Sequence, residues 1–137
     1  MTRSDLEAAA LGFGFVAAGV NHFRHPDAYQ AIVPRWVPRP GLAHTAAGIG
    51  EVALGAAMLH RSSRPLAARA LVWLLVIVFP ANVDMALHRV GFARGSDGRL
   101  ERREGKGNPL LLWLRLPLQF VLIAALRRHL RPAGSPP

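Results

Sequence analysis

Four long apolar runs organise the chain. They are Leu6 to Phe23, Gly41 to His60, Ala70 to His88 and Pro109 to Leu126. Each holds one charged residue: Glu7, Glu51, Asp84 and Arg115 in turn. A helix needs about 20 residues to cross the apolar core of a bilayer, and each run reaches or approaches that length. A water-soluble helix carries a polar stripe, yet Ala8–Val20 and Ala70–Ala81 show none. The pattern predicts an all-α fold, an integral membrane four-helix bundle forming one domain over 1–137, with spans at about 6–23, 41–60, 70–88 and 109–126. Asp5 and Glu7 do not suit the basic start of a cleaved leader, so the first run is expected to remain as a span.

The connections differ in character. In the first, Pro26 fits the opening position of a helix, with Asp27 in its first turn. Tyr29, Ile32 and Val33 then share a face until Pro34 ends the turn. With Trp36 beyond, this reads as a short interfacial helix between spans one and two, capping the mouth of the bundle. The connection at 61–69 is tight and suits antiparallel neighbours. The 89–108 segment is rich in Gly and Arg and is expected to be a flexible solvated loop, with no strand pair anywhere in 6–126. A disordered tail is expected at 131–137. Basic residues divide almost evenly between the two sides. Arginine next to span ends in the tight loop and the tail favours cytoplasmic termini of a multi-pass protein in a bacterial plasma membrane.

Composition then narrows the class. Net charge is +9 in a chain that is 51% hydrophobic, which excludes a disordered basic tail. The basic residues flank apolar spans without an aromatic platform, so lipid headgroups, not nucleic acid, are the expected partner. A membrane protein partner or a second copy of the chain fits the same surfaces. There is no Cys, hence no disulfide, thiolate metal site or thiol redox couple.

Polar residues inside the spans carry the chemistry, because ionisable groups there are costly. Counting rise per residue, Asn82 and Arg115 lie about 9 Å from the mouth, and Glu51 and Gln119 about 15 Å. His22 and His44 lie near the mouth itself. The polar residues therefore fill one half of the membrane and leave the other dry, as in a blind pocket. Glu51 leans toward the depth of Arg115, and Arg115 and Gln119 share a face. This predicts a buried Glu51–Arg115 ion pair, with Asn82 and Gln119 as hydrogen-bond partners. Glu51 also shares a face with Gly48 and Gly55, which permit close helix contact. Glu51 and Arg115 are the candidate catalytic residues; His22, Asn82, Gln119 and Tyr29 are the candidate ligand-binding residues. Asp84 points away from Asn82 and is left outside the site. No metal is expected, and the spacing of His22, His44 and His88 does not suit haem.

The strings Ala18-Gly19-Val20-Asn21-His22-Phe23-Arg24-His25-Pro26, Ala47-Gly48-Ile49-Gly50-Glu51, Phe79-Pro80-Ala81-Asn82-Val83-Asp84-Met85-Ala86 and Leu112-Trp113-Leu114-Arg115-Leu116-Pro117-Leu118-Gln119 resemble the DoxX-like family of small bacterial membrane proteins. The resemblance implies a four-helix membrane bundle. The family takes its name from a subunit of a thiosulfate:quinone oxidoreductase, which makes a quinone one candidate cofactor by analogy of fold; most members have no established activity. Two functions are compatible with the residues. In one, an intramembrane pocket binds a small lipophilic or anionic molecule, quinone-like or lipid-derived, in an oxidoreductase-complex subunit or membrane enzyme. In the other, a non-catalytic interaction or scaffold subunit uses the polar cluster only to fix helix packing.

Overall fold

A computed structural model describes residues 1–131, so residues 132–137 of the expected tail lie outside the described residues. The chain is mostly helical. The order is α1 (Arg3–Arg24), α2 (Pro26–Ile32), α3 (Pro40–Met58), α4 (Arg64–Leu87), β1 (Gly91–Arg94), β2 (Leu100–Arg103) and α5 (Pro109–Arg127). Thr2 and Asp5 form a reciprocal capping box at the start of α1. The other four helices each carry proline in the first turn, where its missing N–H costs nothing.

Helices α1, α4 and α5 are long and apolar enough to cross a membrane. Helix α3 has 19 residues, but it is rich in Ala and Gly and carries His44, Thr45 and Glu51, so length and composition alone mark three spans and not the expected four. Helix α4 starts six residues before the expected Ala70. Arg64 makes this possible, since Nε donates to the Met58 carbonyl at 3.1 Å and Nη1 to Asp5 at 3.0 Å. The arginine-rich connection therefore becomes helix, capping the end of α3 and tying it to α1.

Side chains from α1, α3, α4 and α5 meet in one core that includes Ala8, Phe15, Met58, Ala68, Leu71 and Leu126. A smaller cluster of Met85, Ala86, Val90 and Leu112 lies toward the hairpin. The outer faces are also apolar: Phe13, Ile49, Trp73, Ile77, Leu114 and Phe120 are all exposed. Water would penalise so much exposed apolar surface, and lipid would not.

Segment 89–108 is not the flexible loop expected from its glycines. It contains an antiparallel hairpin that pairs Gly91 with Arg103 and Arg94 with Leu100, so the exclusion of any strand pair was too broad. The turn uses Gly98 at φ +80°, and Asp97 Oδ1 accepts from the Arg99 amide at 3.0 Å. Asp97-Gly98 is a turn signal visible in the sequence. The hairpin is strapped down by Arg99 on Asp27 at 3.0 Å and Arg102 on Asp84 at 2.8 Å. Asp84, which also contacts His88, therefore anchors this strap. The short helix from Pro26 forms as expected.

Candidate functional site

The geometry begins where α1 and α3 touch. A Cβ on Gly19 would lie 2.6 Å from the Gly48 carbonyl oxygen, and one on Gly48 would lie 2.8 Å from His22 Cβ. Only glycine allows this approach. His22 sits over α3 as a result, and its Nδ1 lies 2.8 Å from the His44 carbonyl. A carbonyl only accepts, so Nδ1 carries a proton. The opposite nitrogen, Nε2, faces Glu51 Oε2 at 3.5 Å, and this oxygen is buried without a hydrogen-bond partner. Depth counting separated these two residues. Side chains lean toward the N-terminus of their own helix, so His22 leans down from the mouth and Glu51 leans up to meet it.

The Tyr29 ring, from α2, packs on His22 with centroids 3.8 Å apart. Its hydroxyl accepts from Asn21 Nδ2 at 3.0 Å. Gln30 Nε2 approaches His44 Nε2 at 3.4 Å. These interactions dock α2 onto the ends of α1 and α3.

A second polar pair joins α4 to α5. Asn82 Nδ2 donates to Gln119 Oε1 at 2.7 Å, and Gln119 Nε2 donates to the Leu75 carbonyl. Pro80 has no N–H for the Val76 carbonyl, and Gln119 binds the neighbouring Leu75 carbonyl. Gln119 is 3% exposed. Asn82 and Gln119 were expected to bond to Glu51 and Arg115; they bond to each other instead.

The expected Glu51–Arg115 ion pair is not. Glu51 faces His22, whereas Arg115 is exposed. Rise along a helix fixes depth but not azimuth, and the long Arg115 side chain leans back to the mouth. It lines a groove of about 600 Å³ formed by the end of α1, α2, the end of α4, the hairpin and the start of α5. The expected sites thus divide in three: His22 with Glu51, Asn82 with Gln119, and Arg115 with Tyr29 in the groove.

The groove has an apolar floor of Ile32, Met85, Val90, Leu111 and Leu112. Arg115 and Lys106 stand on its wall, and no Asp or Glu lines it. Neither cation has a carboxylate partner among the described residues. Lys106 and the apolar lining from the hairpin had no place in the expected site, because the segment carrying them was read as unstructured. Among the described residues, no cluster of three or more His, Asp or Glu is placed to hold a metal.

The fold and groove define a mostly helical protein with three helices of membrane-spanning length and an amphipathic, cationic mouth. The chain belongs to the family described as Domain of unknown function (DUF8561), which matches residues 11–129. No curated protein and no solved structure matches it. The resemblance to the DoxX-like family is thereby corrected. Its strings serve needs common to membrane bundles: glycines for helix contact, a proline-weakened turn, and polar residues that bond beside it.

Proposed function

We propose that the chain is a four-span membrane protein that holds an amphiphilic, anionic molecule in the groove at its mouth. The polar head is held by Arg115 and Lys106, within reach of Tyr29, and the apolar part lies along Ile32, Leu111 and Leu112. The observation that carries this reading is the combination of two unpaired cations with an apolar floor and no acidic lining. Cations that are not neutralised within the protein attract an anion, and the floor selects one with an apolar body. Helix α3 counts as the fourth span because it shares the core with the other three and turns its polar side chains toward α1. Both termini are assigned to the cytoplasmic side, where the arginines around Ser62 adjoin span ends.

The interior pairs have a different part in this proposal. Asn82–Gln119 acts as a clamp between α4 and α5. His22–Glu51 is an interior polar pair behind Tyr29, which lines the groove and packs on His22. Lipid extraction of protein purified in mild detergent tests the proposal. Wild type should retain a stoichiometric anionic amphiphile, and Ala28→Trp, which fills the groove from α2, should lose it. Equal retention by both would sink the assignment.

A further inference from the structure

We infer that the head group taken by the groove is a phosphomonoester, carrying nearly two negative charges, on an apolar tail. This rests on the amphiphile reading above and commits it to one chemistry. Arg115 and Lys106 both line the groove. Asn108, Leu111 and Leu112 line it as well, so the first turn of the 19-residue α5 opens onto it. A helix N-terminus acts as about half a positive charge. Two full charges and this partial one match a phosphomonoester, whose charge at neutral pH is about −1.5 to −2. A phosphodiester or a carboxylate brings a single charge and leaves one cation unmatched.

Geometry favours the same ligand. The arginine fork grips two phosphate oxygens, and the lysine ammonium meets a third as a point charge. Zwitterionic heads are disfavoured by the same lining, since their own cation would find no carboxylate there. The tail follows from position: the apolar floor continues into the exposed Leu110, Leu111 and Leu114 of α5, which face the lipid in this reading. A head held at Arg115 can therefore keep its tail in the bilayer.

Native mass spectrometry of the full-length protein, titrated with lipids of identical acyl chains, tests this. Phosphatidic acid should bind about tenfold or more tightly than phosphatidylglycerol, a difference of one charge-assisted contact, and phosphatidylcholine should bind more weakly still. Arg115→Gln and Lys106→Gln, both at exposed positions, should each bring phosphatidic acid down to the level of phosphatidylglycerol. Equal binding of the two anionic lipids would overturn the phosphomonoester assignment, while loss of both in Ala28→Trp would leave the amphiphile groove standing. Lipid binding unchanged in Ala28→Trp would overturn the groove itself. Glycerol 3-phosphate binding as tightly as phosphatidic acid would show that the site takes a soluble phosphate ester and no lipid.

Discussion

Replacing Gly19 by Ala should cost stability, although alanine is the better helix former. A methyl group there would lie 2.6 Å from the Gly48 carbonyl oxygen, 2.7 Å from Val52 Cγ2 and 2.8 Å from the Val52 amide nitrogen. Two of these three are backbone atoms, so no rotamer change can make room, and α1 and α3 must move apart. Overpacking of this kind costs about 1–3 kcal/mol, against which alanine recovers about 0.5–1 kcal/mol of helix preference. The expected net loss is about 1 kcal/mol, since the two ranges differ by about 0–2.5 kcal/mol. Gly14 is the internal control: it lies on the same helix, and a Cβ there meets nothing within 4 Å. Gly14→Ala should leave stability unchanged or raise it. Reversible unfolding in mixed micelles, titrated with a denaturing detergent, gives both values in one experiment. If Gly19→Ala proves as stable as Gly14→Ala, α1 and α3 do not pack through this contact, and the position of His22 over Glu51 loses its explanation.

Three further outcomes are expected. Gln119→Leu leaves the Asn82 amide without its partner and strips the second donor from the Leu75 carbonyl, and should lose about 1–2 kcal/mol; a double-mutant cycle with Asn82→Leu should show coupling, and additive losses would refute the clamp. His129 is 4% exposed and lies beyond α5, where burial holds its pKa below the ordinary 6.5. Its neutral form is thus favoured on folding, so its contribution is full above pH 6.5 and is lost as pH falls toward its folded value. His129→Leu should flatten the melting temperature over that acidic interval, and an unchanged slope would contradict the burial argument. The chain has no cysteine, so single cysteines report topology cleanly. Four crossings place Ser62→Cys and Ser96→Cys on opposite sides of the membrane, and labelling of both by an impermeant maleimide from the same side would exclude that arrangement.

The long elements were legible because each rests on a local pattern. Uninterrupted apolar runs specify α1, α4 and α5, and Pro26 followed by apolar positions of one face specifies α2. That Asn82 and Gln119 needed hydrogen-bond partners was legible, since polar residues deep in apolar helices require them; that they would bond to each other, and not to Glu51 and Arg115, was not. Relations between helices were harder to read. The partner of Glu51 depends on how closely α1 approaches α3, which the glycines permit but do not orient. Arg115 was given the wrong direction, because helix rise carries no azimuth until the neighbouring helix is placed. The hairpin was hidden by composition, as the glycines of 89–108 suggested flexibility, although Gly98 serves the turn after Asp97 and Arg102 is held by Asp84. Arg64 was counted as a loop charge, yet it is buried between Asp5 and the end of α3.

The groove can be tested directly by determining the structure of the protein in a nanodisc of anionic lipid. The account predicts an elongated density with its head between Arg115 and Lys106 and its tail along Ile32, Leu111 and Leu112. A groove filled only by ordered water, with Arg115 directed into bulk solvent and lipid density confined to the outer faces of α4 and α5, would contradict it.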